Sequence, residues 1–148
     1  MIDPLVRPAD AADAGQLREL EGEARQSLVE QRGGPRWLRT HPERGAAWEA
    51  SVAAATEQVW VAHIDAVVVG YLVLTRADDV AVVDDVYVTP MARELGFGDA
   101  LLAGAIEAAR RSGARLLEGS SLPGDRDTKN LYERAGIKAR LITVSTEL

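Results

Sequence analysis

Apolar residues recur along this chain at two spacings, which predict a mixture of strands and helices. Runs rich in β-branched residues predict strands, and apolar stripes at every third or fourth position predict helices. The predicted strands are Leu5 to Arg7, Val59 to Ile64, Val67 to Leu74, Val80 to Val88, Leu116 to Ser120 and Leu141 to Val144. The predicted helices begin near Asp13, Arg44, Gly98 and Asp127.

The connections between these elements predict how the sheet is built. A two-residue turn at Asp65-Ala66 joins two apolar runs, so the middle strands should form an antiparallel meander. The helix after Gly98 should cross over to a strand parallel to Val80 to Val88. We therefore expect an α/β (α+β) fold, with a mixed central sheet of about six strands and helices on both faces. A chain of 148 residues suits a single domain, residues 1–148.

The loop Arg93-Glu94-Leu95-Gly96-Phe97-Gly98 joins the apolar strand Val80 to Val88 to an amphipathic helix that starts near Gly98. Two glycines in an R-x-x-G-x-G pattern allow the backbone to turn several N–H groups toward one anion. The helix N-terminus adds a positive partial charge at the same place. This loop therefore predicts an anionic ligand, such as a diphosphate.

Other phosphate-binding loops fit this segment less well. A P-loop requires a lysine followed by a hydroxyl residue, and the segment has neither. The dinucleotide fingerprint G-x-G-x-x-G matches at Gly96 and Gly98, and Glu118 lies at a suitable distance downstream. However, the third small residue is replaced by Leu101, and seven residues separate Val88 from Gly96 where the Rossmann loop follows its strand at once.

Two motifs resemble those of the GCN5-related N-acetyltransferase (GNAT) superfamily. The sequence VYVTPMARELGFG, residues 86–98, is similar to its central pyrophosphate motif. The sequence NLYERAGI, residues 130–137, is similar to a second block written L-Y-E-K-x-G-F. The resemblance is strong from Val67 to Gly136 and weak before Thr56.

The resemblance implies a cofactor site for acetyl-CoA. In this superfamily the strand before the loop and the strand after its helix splay apart, and the cofactor lies in the gap with its pantetheine arm paired like a strand. The expected cofactor contacts are the backbone of Val86, Tyr87 and Val88, the loop residues Arg93, Glu94, Leu95, Gly96, Phe97 and Gly98, and the adjacent Asp99 and Asn130. No metal site is expected.

The resemblance also implies a chemistry in which an amine attacks the thioester directly. Tyr132 matches the family's general acid, which protonates the departing sulfur, although a tyrosine on an amphipathic helix is also a common core residue. The carboxylate base that some members carry falls here on Val82. Asp84 lies on the same strand face by alternation and is the predicted base, directly or through water. Alternatively, Asp84 and Asp85 lie at a β-bulge and bind nearby backbone or select a cationic substrate.

Composition and charge restrict partners and location. A net charge of −6 with no basic run argues against nucleic acid as a partner. The longest apolar run, Ala66 to Leu74, is about half of what a membrane helix needs, so we expect no membrane partner. The chain has no cysteine, which excludes disulfides and thiolate nucleophiles and agrees with a cytoplasmic location.

The end of the chain predicts an open sheet edge. Twelve residues follow Gly136, which leaves room for one closing strand where the superfamily normally has two. An exposed edge invites pairing, so we expect a homodimer formed through the C-terminal strand edge.

Two function classes follow from these patterns. The first is an N-acetyltransferase that moves an acetyl group from acetyl-CoA to the primary amine of a small-molecule or peptide acceptor. The second is a non-catalytic acyl-CoA-binding regulatory or interaction module, which the missing carboxylate at Val82 and the short C-terminus would favour.

Overall fold

The computed structural model describes residues 5–148, and residues 1–4 lie outside this description. The chain folds into one sheet with helices on both of its faces. The strands are β1 (Leu5–Pro8), β2 (Glu57–Ile64), β3 (Val67–Ala77), β4 (Val80–Val88) and β5 (Leu116–Gly119). The helices are α1 (Ala14–Ser27), α2 (Gly34–Thr40), α3 (Trp48–Ala53), α4 (Phe97–Arg111) and α5 (Arg126–Arg134).

The sheet has the order β1-β2-β3-β4-β5, with every pair antiparallel except the last. Tight turns connect β2 to β3 and β3 to β4, and in them Asp65 and Asp78 take left-handed backbone conformations with φ of 51° and 54°. Aspartate tolerates this region better than most residues, which favours both reversals. Helix α4 then carries the chain over one face, so that β5 returns parallel to β4.

Two hydrophobic cores lie on opposite faces of the sheet. This division follows from the alternation of side chains along the strands, since neighbouring residues of β3 point to opposite faces. On one face α4 and α5 bury Phe97, Leu101, Leu102, Ala105, Leu131 and Tyr132 against Leu72 and Leu74. On the other face α1 and α3 bury Leu17, Leu20, Ala24 and Trp48 against Val61, Tyr71 and Val73.

A β-bulge interrupts the pairing of β3 with β4. Val73 pairs with Asp85 and Leu74 with Val83, so Asp84 is an additional residue without a partner on β3. The extra residue shifts the alternation of β4, because an inserted residue moves each following side chain to the other face. As a result, Tyr87 packs in the core beside α1, whereas Val83 packs in the core beside α4.

The C-terminal strand expected at Leu141 to Val144 is wrong, because residues 137–148 form neither helix nor strand. The sheet therefore has five strands within residues 5–148, rather than about six. Strand propensity alone does not form a strand, since its backbone groups need a partner edge. Among the described helices, none is long and apolar enough to cross a membrane.

Candidate active site

A gap opens between β4 and β5 beyond their short region of pairing. The two strands pair over four positions, from Val80 with Leu116 to Val83 with Gly119. β4 continues to Val88, whereas β5 ends at Gly119. On the side away from β3, the backbone of β4 after the bulge therefore faces a gap rather than a neighbouring strand. A ligand with amide groups can pair with such an edge.

The loop predicted to bind an anion lies at the mouth of this gap. Gly96 has a φ of 88° and precedes the first residue of α4, where no side chain of the described residues caps the helix. The first N–H groups of a helix lack intrahelical partners and carry positive partial charge. Gly98 lies against Leu131, which an added Cβ would approach to 3.4 Å. These glycines keep the N-terminus of α4 accessible and close to α5.

The charged side chains of this loop are turned away from its backbone N–H groups. Arg93 donates to the Val88 carbonyl at 2.9 Å and to Asp127 at 3.2 Å. Glu94 is exposed, so its carboxylate is solvated. Asp99 accepts from Arg134 at 2.9 Å and so joins α4 to α5. The loop would thus hold an anion through its backbone.

The other residues predicted to contact a cofactor have different surroundings. Leu95 and Asn130 are exposed, and Phe97 is buried in the core beside α4. Val86 and Val88 pack against the same core. Their predicted role belongs to the backbone, which is compatible with buried side chains.

Tyr132 places a phenol at the end of β5. Its ring is buried, and its hydroxyl has no hydrogen-bond partner within residues 5–148, although the Ser120 backbone lies nearby. The hydroxyl lies against Gly119, and a Cβ there would overlap with it. Burial, aided by the charges of Asp85 and Asp125, raises the pKa of Tyr132 to about 12. The phenol thus keeps its proton at neutral pH and has a free donor.

The β-bulge places two carboxylates on the opposite face of β4, beside α1. Asp84 accepts from Arg44 at 2.9 Å, which makes it one half of an ion pair. Asp85 accepts from the Tyr71 hydroxyl at 2.9 Å. Burial raises the pKa of Asp85 from 3.8 to about 6, against the opposing effects of the Tyr71 hydrogen bond and the Arg44 charge. Asp85 therefore changes its protonation state near neutral pH.

Both aspartates line a cavity of about 390 Å³. Its walls come from α1, α2, the segment between α2 and α3, α3, β2 and β4. The lining residues are Glu21, Arg25, Trp37, Thr40, His41, Pro42, Glu43, Arg44, Ser51, Glu57, Asp84 and Asp85. Carboxylates outnumber guanidinium groups in this wall, and one Glu57 oxygen is buried without a hydrogen-bond partner in the described chain.

Arg44 and Glu21 organise this cavity, and the sequence patterns indicated neither of them. Arg44 reaches Asp84 and Glu57 and lies 5.2 Å above the Trp48 ring. Glu21 is buried and accepts from the backbone of Arg44 and Gly45 and from the Trp48 indole. The sequence offered one signal that could have drawn attention to Glu21, namely that this acidic residue lies on the buried, apolar face of α1. Trp48 is itself core, whereas Trp37 lines the cavity and stacks on His41.

Comparison with known proteins identifies the family. The sequence matches the Acetyltransferase (GNAT) family over residues 17–137. Among curated proteins, none matches. Three solved structures illustrate the shared fold. A complex of AAC(6')-Iy with the bisubstrate analog CoA-S-monomethyl-acetylneamine is 17% identical, with 99% of this chain and 100% of that chain covered and a TM-score of 0.71.

The other two structures are proteins from Brucella melitensis and Bacillus halodurans. The ribosomal-protein-alanine N-acetyltransferase from Brucella melitensis biovar Abortus 2308 is 16% identical, with 99% of this chain and 100% of that chain covered and a TM-score of 0.76. A mutant of the BH1408 protein from Bacillus halodurans is 17% identical, with 97% of this chain and 99% of that chain covered and a TM-score of 0.80. These likenesses show the fold, and the family match covers most of the sequence. The chain therefore belongs to the acetyltransferase (GNAT) family.

Proposed function

We propose that this protein is an N-acetyltransferase that moves an acetyl group from acetyl-CoA to a primary amine by direct attack. One observation carries the proposal: two groups able to transfer protons lie on opposite sides of β4, the strand that forms one wall of the gap. Tyr132 lies in the core beside α4, and Asp85 faces the cavity on the other side of β4. The negative charge of Asp85 adds to the effect of burial in raising the pKa of Tyr132.

The residues around the gap fit acetyl-CoA. The uncapped N-terminus of α4 and the left-handed Gly96 suit a pyrophosphate, and the β4 edge from Val86 to Val88 suits an extended amide-bearing arm. Gly119 leaves room at the Tyr132 hydroxyl that any larger residue would fill. When bound, the thioester supplies an activated acyl carbon with a thiolate leaving group.

Asp85 is the better base of the two neighbouring aspartates. An amine of pKa about 10.4 is almost entirely protonated at neutral pH, so a nearby proton acceptor is needed before attack. Asp84, the base predicted from strand alternation, is already engaged by Arg44. Asp85 has a raised pKa and faces the same cavity, so its carboxylate accepts the ammonium proton, directly or through water, and passes it to solvent before attack. It then accepts the second nitrogen proton as the nitrogen–carbon bond forms.

Tyr132 completes the proton balance on the other side. Its phenol donates a proton to the sulfur as the carbon–sulfur bond breaks, which yields the free thiol and the acetylated amine. The phenolate left behind regains a proton from solvent, and Asp85 returns its proton to solvent. An otherwise unpaired hydroxyl suits this role, because no hydrogen bond within the described chain must break before the transfer.

The charge of the cavity favours a cationic acceptor. Arg44 neutralises Asp84 in part, but Asp85, Glu57 and Glu43 leave a net negative wall. Low-dielectric walls concentrate such a field and attract ammonium groups. We therefore propose an acceptor with a second positive group rather than one with a carboxylate.

The test is thiol release from acetyl-CoA with matched acceptors. A diamine and an amino acid of equal chain length are compared for wild type, Asp85→Asn and Tyr132→Phe, and products are identified by mass. We expect acetylated diamine with wild type, a weaker reaction with the amino acid and strongly reduced rates in both variants. Binding of acetyl-CoA without transfer to any amine would support a non-catalytic binding module instead.

A further inference from the structure

The carboxylate of Glu21 is buried on α1 and is held by uncharged donors. The residue is 2% exposed. Its oxygens accept from the backbone N–H groups of Arg44 and Gly45, both at 2.9 Å, and from the Trp48 indole at 3.1 Å. Within residues 5–148 it forms no salt bridge. Because a buried carboxylate is costly unless its oxygens are satisfied, these three donors make its burial possible.

The backbone at Arg44 and Gly45 is shaped to receive this carboxylate. Arg44 has right-handed φ and ψ of −71° and −43°, whereas Gly45 has a left-handed φ of 52°. Successive residues of opposite hand turn their N–H groups into one concavity, which binds anions. A Cβ at Gly45 would meet nothing within 4 Å, so the glycine serves the backbone conformation rather than the packing. Glu21 therefore anchors the segment that leads into α3.

The anchored segment carries the guanidinium that contacts Asp84. From this fixed backbone, the Arg44 side chain lies 5.2 Å above the Trp48 ring and donates to Asp84 at 2.9 Å. Glu21 also accepts from the indole of that tryptophan, so one carboxylate holds both the backbone of Arg44 and the ring beneath its guanidinium. The position of this cation in the cavity is thus set from α1.

We propose that Glu21 is a positioning residue that keeps Arg44 on Asp84 and so leaves Asp85 as the carboxylate that accepts protons from the amine. This inference rests on the proposed function, because the choice between two neighbouring aspartates matters only if one of them is the base. Within the described chain Glu21 bonds neither aspartate, so it acts through Arg44. Without the anchor, the guanidinium would be free to leave Asp84, and a cation would no longer distinguish the two carboxylates.

The groups that act on Asp85 come from several elements. Burial raises its pKa most, Tyr71 on β3 and Arg44 lower it, and Asp84 and Glu21 raise it. The remaining charged or titratable residues around it are Arg25, His41, Glu43 and Glu57 in the cavity wall and Tyr132 on α5. Displacing the Arg44 guanidinium should therefore raise the pKa of Asp85, and a substitution that keeps the charge of Glu21 isolates this effect.

The first test is titration of the Asp85 carboxyl in the ligand-free protein, followed by carbon-13 NMR and assigned with Asp85→Asn. Glu21→Asp keeps the charge but shortens the side chain by one methylene, so it cannot reach all three donors. We expect the Asp85 midpoint to rise in Glu21→Asp and in Arg44→Met, and Glu21→Asp to add nothing in an Arg44→Met chain. Glu19→Asp, at an exposed site on the same helix, should leave the midpoint unchanged.

The second test leaves Glu21 in place and alters the concavity that receives it. Gly45→Ala and Gly113→Ala both add a methyl group at a left-handed position with open space around it, where φ is 52° and 84°. Gly45→Ala should raise the Asp85 midpoint, whereas Gly113→Ala, beyond the C-terminal end of α4, should not. Circular dichroism reports folding, and Gly45→Ala decides the question if Glu21→Asp does not fold.

Kinetics separate this inference from the proposed function. In Glu21→Asp the acid limb of kcat/KM for the diamine should move to higher pH together with the Asp85 midpoint. A midpoint that rises while the limb stays unmoved would contradict the proposed function. An unshifted or lowered midpoint in Glu21→Asp or Gly45→Ala, or an equal further rise when Glu21→Asp is added to the Arg44→Met chain, would overturn the positioning role.

Discussion

Replacing Asp85 by asparagine should stabilise the protein at neutral pH while reducing its proposed activity. The side chain keeps its size, and the amide oxygen can still accept the hydrogen bond from Tyr71. What is removed is a carboxylate that burial holds at a pKa of about 6 in the folded chain. A group that is costly to ionise in the folded state opposes folding wherever it is ionised.

The direction and size of the change in the free energy of unfolding follow from the coupling between protonation of Asp85 and folding. Because the folded pKa of Asp85 lies above its ordinary value of 3.8, the folded chain binds this proton more tightly than the unfolded chain. The contribution of Asp85 to the stability of the folded chain is fully favourable at a pH below that ordinary value and is lost as the pH rises through about 6. A shift of this size corresponds to at most about 3 kcal/mol, and the open cavity beside Asp85 reduces this to about 1–2 kcal/mol.

The assay is urea unfolding of wild type and Asp85→Asn, followed by tryptophan fluorescence, to which the fully buried Trp48 contributes. We expect nearly equal stabilities at about pH 4 and a gain of about 1–2 kcal/mol for the variant at about pH 7.5. Asp127→Asn, at an exposed site, should change little at either pH. If the asparagine variant is no more stable than wild type at the higher pH, the Asp85 carboxylate does not destabilise the folded chain.

Three further predictions concern the same site. Tyr132→Phe should lower kcat by about 10²-fold or more at an unchanged KM for acetyl-CoA, because it removes the proton donor, and steady-state kinetics checks this. The protein should lose no stability in thermal unfolding, because the removed hydroxyl is unpaired. Gly119→Ala should displace that phenol and cost about 1–3 kcal/mol, whereas Gly22→Ala, in an open helical position, should be neutral or stabilising in the same unfolding assay. Arg44→Met should raise the pKa of Asp85, since the Arg44 charge lowers it. The acid limb of the pH profile of kcat/KM should therefore shift to higher pH, and an unchanged profile would show that Asp85 is not the catalytic base.

The sheet and the position of the loop before α4 were predictable because their signals are local. β4 occupies the predicted range Val80 to Val88, since its β-branched residues suit a strand buried on both faces. The start of α4 was predicted within one residue, because Gly96 and Gly98 fix where the loop ends. Helix α2 was not predicted, since Gly33-Gly34-Pro35 indicates a break, although proline is also well suited to a first helical turn.

The cavity beside Asp84 and Asp85 was much less predictable because its contacts are distant in sequence. Asp84 was preferred over Asp85 on strand alternation, and the bulge removes the basis for that choice by placing both on one face. The pairing of Arg44 with Asp84 spans 40 positions, and the helical pattern that begins near Arg44 does not indicate which side chain Arg44 meets. The failed strand at Leu141 to Val144 has a similar cause, since its partner edge depends on tertiary or quaternary contacts.

We propose that acetyl-CoA binds in the gap between β4 and β5 with its pyrophosphate at Gly96. Calorimetric titration with acetyl-CoA, using wild type, Gly96→Glu and Gly113→Glu, measures this binding. The two glycines lie at opposite ends of α4 with φ of 88° and 84°, so the substitutions impose similar backbone strain, but only the first brings a carboxylate to the loop. We expect wild type and Gly113→Glu to bind and Gly96→Glu to lose binding. Equal binding by all three proteins, or none by wild type, would contradict the proposed site.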